Sequence, residues 1–125
     1  MYEVTVETTF SAAHALSGYR GKCEALHGHN YRVEATVAAR ALDSVGLAFD
    51  FGELRRLLVQ VVEPLDHANL NDLAPFSAGA GDNPSAENVA RYAYERLKVV
   101  LPGGIVLRRV NVWEAERSCV SYCED

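Results

Sequence analysis

The stretch His29-Asn30-Tyr31-Arg32-Val33-Glu34-Ala35-Thr36-Val37-Ala38-Ala39-Arg40 places Tyr31, Val33, Ala35, Val37 and Ala39 on one side and Arg32, Glu34 and Thr36 on the other. Successive side chains of a β-strand point to opposite faces, so this period of two predicts a long half-buried strand from about His29 to Arg40. Upstream, Tyr2, Val4, Val6 and Phe10 alternate with Glu3, Thr5, Glu7 and Thr9, which predicts a first strand over residues 2–10. The two strands enclose a loop of about fifteen residues with Gly18, Gly21 and Gly28, and a loop of that length inside a compact domain usually serves function.

Downstream the period changes. After a turn at Asp43 to Gly46, the residues Phe51, Leu54, Leu57, Leu58, Val61, Val62 and Leu65 recur at the spacing of one helix face. This helix enters after Asp50 and ends near Pro64. A second helix starts at Asn83-Pro84-Ser85-Ala86-Glu87, with Ser85 as N-cap and Glu87 favourably placed against the positive end of the dipole. Its buried side carries Val89, Ala93, Leu97 and Val100, and Pro102-Gly103-Gly104 stops it. Two further strands fit Ile105 to Glu114 and Arg117 to Tyr122. The order is strand, strand, helix, helix, strand, strand, an α+β arrangement.

With 125 residues, 49% hydrophobic and 23% charged, the chain reads as a single domain over residues 1–125 that buries a core without cross-links. A net charge of −5, with the twelve Lys and Arg scattered, argues against a nucleic-acid footprint but leaves room for a local basic pocket. No apolar run approaches the ~20 residues of a membrane span, and the amino terminus lacks the apolar core of a signal peptide, so the expected location is cytoplasmic. Three cysteines make no disulfide framework.

The four histidines, His14, His27, His29 and His67, all sit in polar, loop-adjacent contexts. His27 and His29, two apart at the start of a strand, share a face. A hairpin would bring His14, just past the first strand, beside them. Three neutral imidazoles suit Zn²⁺ and leave a fourth position open for catalysis; a chance pair of polar strand-end residues is the plain alternative. Cys23, four residues before His27, is either a fourth ligand closing the site or a base whose thiolate is favoured by nearby cations. Asp66-His67 supplies an orienting carboxylate and a proton carrier, or merely a helix C-cap. Glu114 is either a buried acceptor for a heterocycle or a solvated strand-end carboxylate. Arg20 and Lys22 either bind phosphates or solubilise a loop. Cys119 and Cys123 lack a second ligand pair, and read as a strand residue and a tail thiol.

Taken together, Phe10 to His14, Cys23 to Tyr31, Leu65 to Asn71, Asn83 to Asn88 and Val112-Trp113-Glu114 resemble the 6-pyruvoyltetrahydropterin synthase family over nearly the whole chain. The Cys-x3-His-Gly-His spacing is similar to the bacterial branch, the 6-carboxy-5,6,7,8-tetrahydropterin synthases of queuosine biosynthesis. The resemblance implies the tunnelling fold, with an antiparallel four-stranded sheet (ββααββ), two helices on one face, and sheets joined into a barrel across subunits. The implied assembly is a homo-hexamer, a dimer of trimers with active sites between subunits. It also implies His14, His27 and His29 as zinc ligands, Cys23 as the proton-abstracting thiol, and Asp66 and His67 as its relay partners. Glu114 is implied as the pterin anchor, with Ser85, Ala86 and Glu87 lining that pocket. The implied substrate is 7,8-dihydroneopterin triphosphate, and the implied products are 6-carboxy-5,6,7,8-tetrahydropterin, acetaldehyde and triphosphate. Glu24 keeps a folate-pathway side-chain lyase open beside the pyruvoyl synthase; a non-catalytic zinc-stabilised module would need only the metal ligands. The chain departs from the family pattern in a longer loop at Asp72 to Asp82 and in the tail Glu114 to Cys119.

Overall fold

The computed structural model describes residues 1–18, 25–77 and 80–124. Strand β1 (Tyr2–His14) and strand β2 (His27–Ala39) form an antiparallel ladder that runs unbroken from Tyr2 opposite Ala39 to His14 opposite His27. β1 thus extends past Phe10, where the large apolar alternation stops. A parallel partner supplies what the sequence pattern does not show. The two-residue strand β3 (Ala68–Asn69) pairs with Ala12 and Ala13 and holds the end of β1 in the sheet.

The turn after β2 is built by Asp43, whose carboxylate accepts from Val45 N (2.9 Å) and Leu47 N (2.9 Å) while Gly46 supplies φ +86°. Helix α1 (Phe51–Val62) follows, its first turn capped by Asp50, which accepts from Glu53 N at 3.1 Å. Leu54, Leu57, Leu58, Val61 and Val62 face the core as expected, whereas Phe51 is 61% exposed. It occupies the first helical position, before the helix meets the sheet. A 3₁₀ turn at Glu63–Leu65, with Pro64 inside it, carries the chain back to the edge of β1.

Helix α2 (Ala86–Val100) starts on Ser85, whose hydroxyl accepts from Asn88 N at 3.2 Å. Val89, Ala90, Ala93, Tyr94 and Leu97 are buried; Val100, expected among them, is 48% exposed. The helix ends there and the chain turns away through Leu101, which packs on the core in its place. Strands β4 (Val106–Ala115) and β5 (Ser118–Tyr122) complete a sheet ordered β3-β1-β2-β4-β5.

The four long strands match the expected ββααββ order, and β3 adds a short fifth. Both helices pack on one face, where Val6, Phe10, Tyr31, Val33, Val110 and Val112 meet their apolar sides in a single core. The polar residues of the alternating strands lie on the other face, where Glu34 accepts from Trp113 Nε1 at 2.8 Å. Among the described residues, no helix is long and apolar enough to cross a membrane.

Candidate metal centre and its surroundings

The ladder decides where the histidines go. His14 and His27 stand directly opposite each other, and His29 follows two residues later on the same face. All three imidazoles therefore converge at one end of the sheet. Their candidate ligand atoms lie within 4.8 Å of one another, and His14 Nε2 is 3.1 Å from both His27 Nε2 and His29 Nε2.

The other ring nitrogens explain this crowding. His14 Nδ1 donates to Pro84 O at 2.6 Å and His27 Nδ1 donates to Ala25 O at 2.7 Å. Each ring then carries its proton on Nδ1 and turns an Nε2 lone pair inward. Two lone pairs at that distance repel unless a cation lies between them. With metal–nitrogen bonds of about 2.0–2.1 Å, a tetrahedral ion needs ligand nitrogens roughly 3.3 Å apart, close to the separation found. The donor set is all imidazole, which suits zinc and its transition-metal neighbours, and three ligands leave a coordination position free.

The site's floor is rigid. His14 is 1% exposed, and Tyr31 lies beneath with its ring edge-on to His14 and His29 (centroids 5.9 and 5.4 Å) and stacked on Phe10 at 4.7 Å. Burial, with the charge of Glu114 adding, pushes the Tyr31 hydroxyl well above its usual pKa, so it stays protonated. Burial also lowers the pKa of His29, and the neighbouring His14 and His27 add to this while Glu114 opposes it. A His29 that resists protonation is ready to bind metal at neutral pH.

Glu114 reaches this centre by the alternation of β4: Val110 and Val112 face the core, and with Val112 paired to Val33 the next residue on that face, Glu114, stands at the level of Tyr31. Trp113 pairs with Cys119 and Ala115 with Ser118, so Glu114 is the extra residue of a β-bulge. Its carboxylate stands 3.8 Å from His14 Nε2 and 3.9 Å from His29 Nε2. These distances are too long for hydrogen bonds and right for a counter-charge. Glu114 also lines a cavity of about 200 Å³ together with Leu16, Ser85, Ala86, Glu87 and Cys119. The residues expected around a heterocycle are thus gathered at one hollow, and Cys119, read from sequence as a plain strand residue, joins them. A larger hollow of about 600 Å³, bordered by Met1, Leu42, Ile105 and Arg108, contains no histidine.

Asp66 and His67 take a different position. Asp66 Oδ1 accepts from Ser11 N at 2.9 Å, and His67 N donates to Ser11 O at 2.6 Å, so the pair docks on the edge of β1. The Ser11 amide, with His67 adding, holds the Asp66 carboxyl below the usual carboxylate range. The His67 ring lies on Asp66, with Nδ1 to Oδ2 at 3.0 Å, and is 83% exposed. His67 is the one non-glycine residue with positive φ (+57°) among the described residues, a conformation that costs about 1–3 kcal/mol and concentrates at functional sites. His67 and His29 border the same open depression of about 460 Å³. Cys23, Glu24, Arg20 and Lys22 lie outside the described residues.

A triad of imidazoles, a strand-end carboxylate and an exposed Asp–His pair at one end of this sheet direct attention to one family, whose pattern, 6-pyruvoyl tetrahydropterin synthase, matches residues 3–125. The chain belongs to the 6-pyruvoyl tetrahydropterin synthase family. It is 35% identical over 111 residues to the dihydroneopterin monophosphate aldolase of Pyrococcus furiosus, covering 89% of this chain and 88% of that one. It is 27% identical to the 6-carboxy-5,6,7,8-tetrahydropterin synthase of Haemophilus influenzae, covering 99% and 100%. The solved structure of Caenorhabditis elegans 6-pyruvoyl tetrahydropterin synthase superposes with a TM-score of 0.84 at 30% identity, covering 100% of this chain and 98% of that one. The fold is the tunnelling fold of these proteins.

The sequence reading missed the Pro84 carbonyl that fixes the His14 tautomer. It also gave no role to Asn71, Asn83 and Asn88, although all three stand inside the motifs it singled out.

Proposed function

We propose that this protein is a zinc-dependent pterin side-chain enzyme that converts 7,8-dihydroneopterin triphosphate to 6-carboxy-5,6,7,8-tetrahydropterin, with loss of triphosphate and acetaldehyde and consumption of water. The observation that carries the reading is the convergence of three inward-facing Nε2 atoms beside Glu114 and within one depression of His67. The Cys-x3-His-Gly-His spacing favours the carboxy product, which places the reaction in queuosine biosynthesis in the cytoplasm.

In this reading His14, His27 and His29 would hold Zn²⁺, which when bound would act as a Lewis acid toward the side-chain hydroxyl oxygens of the substrate. Glu114 accepts hydrogen bonds from the pterin ring, and Ser85, Ala86 and Glu87 wall that pocket. Cys23 takes the proton from the side-chain carbon. His67, held by the ionised Asp66, moves protons at the neighbouring carbon. The reduction of the ring is internal, so no redox cofactor is required.

The assembly is a homo-hexamer built from two trimers. β3 covers only the end of one sheet edge, and β5 forms the other, so long edges are free to pair with further copies. A monomer at micromolar concentration in light scattering would contradict this.

A second reading is cleavage of the side chain without the carboxylate product, as a folate-pathway lyase. Glu24 beside Cys23 and the similarity to an archaeal aldolase favour it. Incubating the zinc-loaded protein with dihydroneopterin triphosphate and identifying products by mass separates the readings. Acetaldehyde with carboxypterin supports the first, and the triphosphate ester of glycolaldehyde with a hydroxymethylpterin supports the second. An unchanged substrate contradicts both.

A further inference from the structure

The motif asparagines left without a role make a set of hydrogen bonds that converge behind His14. Asn83 Oδ1 accepts from Ser17 N (3.0 Å) and Ser17 Oγ (2.9 Å), and its Nδ2 donates to Ser17 O (2.8 Å). Asn71 treats Ala15 in the same way, accepting from its N at 2.8 Å and donating to its O at 2.9 Å. Each side-chain amide thereby fills both main-chain hydrogen bonds of one residue, as a neighbouring strand would. Residues 15–18 make no backbone–backbone hydrogen bond among the described residues, so these two amides hold the chain as it leaves His14.

The turn that carries Asn83 also carries Pro84, whose carbonyl receives the His14 Nδ1 proton at 2.6 Å. Asn88, in the first turn of α2, locks this turn by donating from Nδ2 to Asn83 O (2.8 Å) and Gly81 O (3.1 Å). Asn83 therefore ties the turn bearing the Pro84 acceptor to the main chain just beyond the His14 ring.

We propose that Asn83 is a positioning residue of the metal centre: through Ser17 and the Pro84 carbonyl it fixes the tautomer and direction of His14 before any cation arrives. The inference rests on the three histidines being metal ligands, and its readout needs no pterin. Partners behind metal-bound histidines fix the ring tautomer and orientation, and their loss typically weakens metal binding about 10–100-fold. A residue that only staples a loop would lower thermal stability and leave metal affinity unchanged.

The test is zinc affinity by chelator competition, with the optical spectrum of the cobalt-loaded protein as a second readout. Asn83→Ala is expected to bind zinc about 10–100-fold more weakly than the parent and to alter the cobalt spectrum. Asn71→Ala, which frees Ala15 but not the Pro84 turn, is expected to lose less. Equal zinc affinity in Asn83→Ala and the parent would overturn the proposal while leaving the metal assignment intact, and a parent that binds no metal would overturn both. A measurement on the parent alone decides the matter should Asn83→Ala fail to fold. ¹⁵N resonances of the metal-free protein are expected to report His14 as the Nδ1–H tautomer, and an Nε2–H tautomer or a mixture would overturn the proposal.

Discussion

Two kinds of histidine share one end of this sheet, and their settings differ in every physical respect. His14 and His27 have Nδ1 bound to backbone carbonyls, and His14 is almost wholly enclosed. His67 stands out in solvent on a left-handed backbone, with the Asp66 carboxylate beside it. A backbone carbonyl can only accept, so it fixes one tautomer and turns the Nε2 lone pair of the neutral ring inward. An exposed ring beside a carboxylate is instead oriented by that partner while its other nitrogen stays open, the placement a proton carrier needs. The difference separates binding a cation from moving a proton, and it is drawn by the second partner of each ring.

The largest expected effect falls on the proton-transfer side. Cys23→Ala should lower turnover about 10²–10⁴-fold while zinc content and melting temperature stay at parental values. A drop in zinc content would instead make Cys23 a ligand and erase the division between the two groups. Next comes Glu114, which lies between the three clustered histidines and the hollow at the start of α2. Glu114→Gln keeps the shape and removes the charge. It is expected to raise KM for the pterin about 10-fold or more, the equivalent of losing a hydrogen bond to a charged group of about 1.5–3 kcal/mol, with zinc retained. An unchanged KM in steady-state kinetics would remove Glu114 from the substrate site.

pH sharpens the comparison with a smaller effect. Burial lowers the pKa of His29, so this ligand stays neutral at pH 7 and takes a proton only below the ordinary histidine value of about 6.5. Metal binding should hold above that value and fail as pH falls through the lower value of the folded state. The Asp66 carboxyl, held low by the Ser11 amide and His67, remains ionised until pH is below about 3.9. Its contribution to stability is present above the unfolded value and is lost as pH falls through the folded one. The acid limb of activity is therefore expected to follow His29 and not Asp66. Asp66→Asn should lower the rate and leave that limb in place; a shifted limb in the pH–rate profile would assign it to the Asp–His pair.

Much of this architecture is legible in the sequence because it rests on local period. The alternation in Tyr2 to Phe10 and Tyr31 to Ala39 gives the ladder, and that ladder alone brings His14 opposite His27. Helix starts at Asp50 and Ser85 follow from capping chemistry. What stays hidden is made by contacts distant in sequence or by irregular backbone. The bulge at Glu114 exists only through the pairing of β4 with β5. β1 runs past Phe10 because β2 pairs with it as far as His27, and the strand on its other side, β3, is two residues that carry no pattern of their own. Phe51 and Val100 fit the periodic faces yet lie at helix ends beyond the reach of the sheet, where periodicity no longer predicts burial. The asparagine clamps at Ala15 and Ser17 depend on partners from the 3₁₀ turn at Leu70–Asp72 and the approach to α2, which spacing along the chain cannot join.

The central claim is that three histidines bind one cation and the fourth does not. Zinc content per chain in His27→Ala and His67→Ala, measured by elemental analysis on protein purified alike, tests it most directly. The account predicts that His27→Ala loses its zinc, whereas His67→Ala keeps the parental amount and is impaired only in turnover. Full zinc in His27→Ala, or its loss from His67→Ala, would contradict the account.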